Sequence, residues 1–255
     1  MKKIGLAITV IALWVSVSCK QKKYTEVVEV PLPSKEQKVT LGEPDDVKAT
    51  EGAFEVVQLP FKYDALQPHI DAFTMELHYS NHYLSYTNKL NELLAGTDLE
   101  SLPITDLLKK QDRTNEELRN ALGGYYNHSL YFELLTPKSQ GKPSDTLATA
   151  ITKDFGSFDN FKSQFIDAAN KQTGSGWTWL IVDGSGTLQI TSTPNQDNPL
   201  MPGVTIAGTP ILGIDVWEHA YFVEYQYKRK KYIENFFKCI NWEKVAEKFE
   251  EAIVK

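Results

Sequence analysis

Trp177-Thr178-Trp179-Leu180-Ile181-Val182, the turn Asp183-Gly184-Ser185-Gly186 and the following Thr187-Leu188-Gln189-Ile190-Thr191 decide the fold class. Two runs rich in β-branched and aromatic residues, joined by four turn-forming residues, have the chemistry of a β-hairpin. A further run, Ile211-Leu212-Gly213-Ile214-Asp215-Val216-Trp217, supplies a third strand. From Phe54 to the hairpin the chain patterns as helix, so it is expected to be α+β, with a helical half followed by a mixed half carrying a small antiparallel sheet.

Upstream of the hairpin, Pro68 to Ala95 carries Phe73, Leu77, Leu84, Leu90 and Leu94 and reads as one or two helices ended by Gly96. Pro103 to Lys110 is a short helix, and Asn115 to Leu135 a long one, with Leu118, Leu122, Tyr125, Tyr126 and Leu130 at helical spacing and Pro137 as its stop. Two long helices around a short element predict an antiparallel helical hairpin over residues 54–136. Residues 137–255 then form the C-terminal domain. Its helices are expected at Ser144–Phe155, Ser157–Thr173 (with Ser157 and Asp159 as N-caps), Tyr221–Phe237 and Trp242–Ile253.

The N-terminus stands apart. Met1-Lys2-Lys3 precedes an apolar run from Ile4 to Val17. That is a signal-peptide pattern over residues 1–18, and it falls short of the roughly 20 apolar residues a membrane-spanning helix needs. Ser16-Val17-Ser18-Cys19 resembles a bacterial lipobox, which implies lipidation of Cys19 and an exported protein of the cell envelope, either membrane-anchored or periplasmic. Residues 19–53 mix charge, Pro and Gly without a sustained apolar period and read as a flexible tether, apart from a Val27, Val28, Val30 patch that could form a stray strand. The chain of 255 residues is 42% hydrophobic, which excludes a disordered class. A formal charge of −6 argues against nucleic acid as a partner. Two cysteines, Cys19 and Cys239, are too few for a disulfide framework.

The chemistry sits among five histidines. His78 and His82, four apart in a helix, share a face that Tyr86 continues. His128 lies on the facing helix beside Asn127, Asp215 stands near the end of the third strand, and His219 follows just past it. Imidazole and carboxylate together suit Mn, Fe, Co, Ni or Zn. His78-x3-His82 lacks the glutamate a zinc protease needs between its histidines, so metal-dependent hydrolysis has no general base in view. Spacing alone makes a metal site plausible and goes no further.

Four blocks carry a resemblance. They are Leu77-His78-Tyr79-Ser80-Asn81-His82-Tyr83-Leu84-Ser85-Tyr86, Asn127-His128-Ser129, Gly174-Ser175-Gly176-Trp177-Thr178-Trp179 and Asp215-Val216-Trp217-Glu218-His219-Ala220-Tyr221. In order and spacing they resemble the signature blocks of the iron/manganese superoxide dismutase family over about residues 56–253. The resemblance implies an N-terminal helical hairpin and a C-terminal α/β domain with a three-stranded antiparallel sheet, the metal lying between them. It implies His78, His128, Asp215 and His219 as metal ligands, and His82 and Tyr86 at the mouth of the substrate path. Trp177, Trp179 and Trp217 would wall the site.

Gly123-Gly124 on the second long helix, with Asn195-Gln196-Asp197 after the hairpin, looks like the manganese pattern, with Gln196 hydrogen-bonding the metal-bound solvent. Mn is therefore the expected cofactor, with Fe or either metal open. The implied activity converts superoxide to dioxygen and hydrogen peroxide as the ion cycles between 3+ and 2+. The resemblance also implies a homodimer or tetramer, in which Glu218 bridges to the metal-ligand histidine of the partner subunit, Arg229 lies near the substrate funnel, and Tyr221 belongs with the residues around the site and dimer contact. Phe222 departs from the family's usual Tyr, which reaches across the dimer to the gateway histidine, and Lys230 departs from a usual Pro. Phe132 and Phe237 stand where the family often has Trp, and these with Phe222 motivate the alternative of a catalytically inactive metal-binding envelope lipoprotein that retains the fold.

Overall fold

The apolar run at Trp177–Val182 is buried along its whole length because it forms the middle strand of a sheet covered on both faces. The computed structural model describes residues 40–112 and 114–254. Strand β1 (Gly176–Val182) pairs antiparallel with β2 (Leu188–Pro194) on one side and with β3 (Thr209–Asp215) on the other, giving the order β2-β1-β3. The register sets Trp177 between Thr193 and Asp215. The third strand thus ends at Asp215, two residues earlier than its apolar run suggested: Asp215 Oδ1 accepts the Trp217 N–H at 2.8 Å and turns the chain out of the ladder.

The helical half comes first. Helix α1 (Ala72–Glu76) is capped by Asp71, whose carboxylate accepts the Thr74 N–H at 2.9 Å. It runs into a π-helical stretch, Leu77–Tyr83, and on into α2 (Leu84–Leu94). After the short α3 (Ile104–Lys110), α4 (Glu116–Glu133) begins at its Asn115 cap and packs against α2. In the mixed half α5 (Asp145–Phe155) and α6 (Phe158–Lys171) pack on β1 and β2. Ser157 caps α6, whereas Asp159 lies inside its first turn and only adds charge there. The expected helix Tyr221–Phe237 is two, α7 (Phe222–Tyr225) and α8 (Arg229–Phe236), broken at Gln226 with φ +52°. Helix α9 (Trp242–Ile253) closes the chain, burying Trp242, Val245 and Phe249 against the sheet side of the core.

One core cluster runs through both halves, from Met75, Tyr79 and Tyr83 to Trp177, Ile214 and Trp242. Because α4 packs directly on β3, a residue of the helical hairpin is brought against the last residue of the sheet. That junction holds the site.

The expected tether needs correcting at its far end. Pro44 and Val47 are buried, and the stretch is tied down by the first long helix. The Gly42 N–H donates to Glu76 Oε1 at 2.6 Å, and the Thr50 N–H donates to Asn88 Oδ1 at 2.8 Å. Asn91 accepts the Phe54 N–H and donates to the Thr50 and Phe54 carbonyls. Residues 42–54 therefore behave as a strap on the domain, because their backbone groups find side-chain partners there. The signal segment, Cys19 and the Val27–Val30 patch lie outside the described residues.

Candidate metal centre

Three segments remote in sequence meet at Asp215. His78 comes from the π-helical stretch, His128 from α4 and His219 from the 3-10 turn Glu218–Ala220 that follows β3. Oδ2 of Asp215 lies 3.2 Å from His78 Nε2, 3.6 Å from His128 Nε2 and 3.1 Å from His219 Nε2. One ligand atom from each of the four residues falls within 4.8 Å of all the others. His78, His128 and Asp215 are fully buried, and His219 keeps 17% of its side chain exposed.

The donor set is one that wants a cation. His128 Nδ1 lies 2.6 Å from the Gly124 carbonyl, which can only accept, so that nitrogen carries the proton and Nε2 presents a lone pair to the Asp215 carboxylate. The Nε2 atoms of both His78 and His128 are buried without a hydrogen-bond partner. Buried acceptors facing one another are costly unless a positive charge sits among them. Protonating the histidines is not the remedy. Burial drives His78 down to about 4, with the nearby carboxylate offsetting only part, and drives His128 well below its ordinary range. Burial alone would raise Asp215, but His219 and His78 beside it outweigh that and hold it ionised. One carboxylate and three imidazoles, two of them with orphaned nitrogens, fit a divalent or trivalent transition-metal ion.

Around this cluster the structure places the other expected residues. The His82 ring stacks on His219 at 4.1 Å and 19°. The Tyr86 ring lies over His128 at 5.4 Å, and burial raises its hydroxyl's pKa, so that hydroxyl keeps its proton. Gln196 is buried, donates from Nε2 to Tyr86 Oη at 3.3 Å, and accepts at Oε1 from Trp177 Nε1 at 3.0 Å and Asn127 Nδ2 at 3.2 Å. The Gln196–Tyr86 link is thus made, whereas among the described residues His82 has no hydrogen bond to Tyr86; its partner is the His219 face. Trp177 meets His128 edge-on at 5.2 Å and stacks on Trp179 at 5.3 Å, and Trp217 lies 5.7 Å from His219. Arg229 donates to Tyr221 Oη at 3.1 Å and the Gln172 carbonyl at 2.6 Å, with Glu218 3.9 Å away.

Two glycines make the close approach. A Cβ on Gly123 would stand 1.9 Å from the Gln196 carbonyl oxygen, and one on Gly124 would stand 2.2 Å from the Tyr86 ring. Their pairing on α4 lets the loop after β2 and the α2 tyrosine both lie against the helix that carries His128.

Some contributors were not singled out from the sequence. Asn198 Nδ2 donates to Asn127 Oδ1 at 2.8 Å, which turns the Asn127 amide group toward Gln196. Arg119 holds Asp197 through two bonds of 2.7 Å. The signal available was two side-chain amides, Gln196 and Asn198, too polar for the buried places they take.

Comparisons with known proteins agree with this geometry. Residues 53–136 match the family model described as iron/manganese superoxide dismutases, alpha-hairpin domain, and residues 143–248 match that of the C-terminal domain. A manganese superoxide dismutase of Acinetobacter baylyi is 46% identical over 204 residues, covering 79% of this chain and 90% of that protein.

Proposed function

The chain belongs to the iron/manganese superoxide dismutase family, and from that premise we propose that His78, His128, Asp215 and His219 ligate the redox ion while Gln196, Tyr86 and His82 handle its solvent and protons. The protein is a superoxide dismutase that uses Mn or Fe. When bound, the ion supplies one-electron chemistry, taking an electron from one superoxide to release dioxygen and giving it to a second that leaves as peroxide. Asp215 contributes the one anionic ligand and the imidazoles stay neutral, so the loaded site keeps net positive charge for a small anion. Tyr86 Oη, accepting from Gln196 and kept protonated by burial, would relay a proton toward the reduced product and take one back from solvent, ending the cycle as the neutral phenol. Trp177 fixes Gln196 from behind and keeps bulk water out, and Asn127 fixes it from the side.

The observation that carries the ligand assignment is the pair of buried, unpartnered imidazole nitrogens on one carboxylate oxygen. Asp215→Asn keeps the shape and removes the charge. Elemental analysis and superoxide consumption should both fall, by about 10- to 100-fold or more for a ligand. Full metal content and full turnover in that variant would sink the assignment. The inactive-scaffold alternative gains no support, because no donor is missing.

The envelope reading is also part of the proposal. The basic start, the short apolar run and Ser16-Val17-Ser18-Cys19 support export and lipidation at Cys19, hence a membrane-anchored or periplasmic enzyme. Radiolabelled palmitate uptake lost in Cys19→Ala tests it. Exposed Phe222 (55%) and Val223 (52%) beside Glu218 support a homodimer that covers them, with a tetramer as the larger assembly. Sedimentation of the wild type against Phe222→Asp tests that.

A further inference from the structure

We propose that Arg119 and Asp197 are positioning residues for the reaction: their ion pair sets the place of Gln196, and through it the redox poise of the site. The inference rests on the reading of Gln196 given above and deepens it.

The bonds around Gln196 fall into two groups. Those made by its own amide are long: 3.3 Å to Tyr86, 3.2 Å from Asn127 and 3.0 Å from Trp177. Those that side chains make to Asp197, the next residue, are short. Arg119 Nε and Nη2 donate to the two carboxylate oxygens of Asp197 at 2.7 Å each, a bidentate charge-assisted pair. Thr193 Oγ1 donates to the Asp197 carbonyl at 2.6 Å. A bond already at 3.3 Å has little room to lengthen before it is lost, so the Gln196–Tyr86 link depends on the backbone not drifting.

The backbone has reason to drift. Asn195 sits at φ +51°, a conformation that side chains other than glycine adopt at a cost. It is held by the Ser175 carbonyl, which accepts its N–H at 2.9 Å, and by Trp217 Nε1, which donates to its carbonyl at 3.1 Å. Across Gly123 the Gln196 carbonyl lies too near α4 for any side chain to intervene. The ion pair draws the loop down onto α4 at that point. Arg119 and Asp197 keep only 17% and 25% of their side chains exposed, so the pair is little screened and more than a surface contact. It also borders an open cavity of about 540 Å³ lined by Asn120, Gln196 and Trp217. A group that hydrogen-bonds the ion's solvent changes the proton affinity of that solvent and hence the metal potential. Moving Gln196 therefore moves the potential.

The test is the midpoint potential of the Mn-loaded protein, read as the ratio of reduced to oxidised Mn at one fixed applied potential. Wild type is compared with Arg119→Met, Arg119→Lys, Asp197→Asn and Gln196→Ala. Lys248→Met serves as a control, since it removes an ion pair to Glu133 of 2.8 Å away from the loop. Arg119→Met and Asp197→Asn should shift the ratio in the same direction, by about tenfold. Arg119→Lys, which keeps the charge and loses the fork, should shift it less. Lys248→Met should leave it alone even where the melting temperature falls. If Gln196→Ala shifts the ratio while the Arg119 and Asp197 variants do not, the positioning role is refuted and Gln196 stands. If Gln196→Ala does not shift it, the Gln196 reading fails and the proposal with it. Should Arg119→Met not fold, Asp197→Asn, which is isosteric, decides the matter by the same measure.

Discussion

Two long helices each deliver one buried imidazole, and they do it by different means. The first bends its own backbone: α1 widens into the π-helical stretch Leu77–Tyr83 before α2 resumes, and His78 leaves from the widened turns. The second, α4, stays regular for 18 residues and instead gives up side chains, with Gly123 and Gly124 opening one face to the Gln196 loop and the Tyr86 ring. A widened helix frees carbonyls and must find donors for them. A glycine pair gives up helix propensity, about 1 kcal/mol per residue, and must be repaid by what packs there. The first helix departs from regular α-geometry within itself, and the second stays regular and depends on its neighbours.

The comparison breaks most visibly at the glycines. Alanine at Gly123 gains propensity but puts its Cβ 1.9 Å from a backbone oxygen, which cannot rotate away. Gly123→Ala should lose about 3 kcal/mol or more in denaturant unfolding, beyond the usual overpacking range. Gly124→Ala meets only the Tyr86 ring, which can swing, so its stability loss should be smaller while the Gln196–Tyr86 bond is lost. Equal losses would mean that the two glycines do not serve different neighbours.

A second test asks what each imidazole costs when the metal is removed. Both sit below the ordinary histidine value of 6.5, His78 at about 4 and His128 also driven well down by burial. Between pH 6.5 and about 4 the unfolded chain binds the proton that folded His78 refuses, so stability rises with pH across that window and is lost as pH falls through it. The metal-free protein should lose on the order of 3 kcal/mol over that span from His78, and His128, lowered by burial in the same direction, should add to the loss. Unfolding midpoints taken from pH 7.5 down to 4 check this, and His78→Gln should flatten the upper part of the curve. A flat profile for the wild type would show that His78 is not held neutral by burial.

How much of this the sequence carried can be seen at particular residues. The hairpin was legible because Asp183-Gly184-Ser185-Gly186 is turn chemistry and β1 is continuous apolar sequence. The ligand set was legible only through the resemblance, since spacing alone showed a histidine pair and nothing that linked it to Asp215. The π-helical stretch was not legible: apolar periodicity cannot separate a widened turn from a regular one over a few residues. Nor was the break at Gln226, where no Gly or Pro marks the positive φ and the split depends on burying Tyr225 while Tyr227 is left 81% exposed. The strap at 42–54 reads as tether in the sequence because its fixing groups, Glu76, Asn88 and Asn91, lie on another element. Local composition cannot show partners that folding supplies.

The smallest expected effect sharpens the comparison at the hydroxyls that border the widened turn. Ser80 Oγ donates to the Glu76 carbonyl at 2.7 Å, Ser85 Oγ to the His82 carbonyl at 2.8 Å and Thr87 Oγ1 to the Tyr83 carbonyl at 3.0 Å. These are the donors a distorted helix needs. On α4, Ser129 Oγ donates to the Tyr125 carbonyl at 2.7 Å and so accepts from Tyr83 Oη at 2.8 Å, which makes it a bridge between the helices. Thr87 is fully buried, so Thr87→Val keeps the volume, removes the donor and leaves one carbonyl short, a loss of about 1 kcal/mol. Ser129→Ala strips a carbonyl and also the partner of Tyr83, so it should cost more in thermal unfolding, though α4 itself is regular. If Thr87→Val proved the more costly of the two, the carbonyls freed in the first helix would matter more than the bond that joins it to the second.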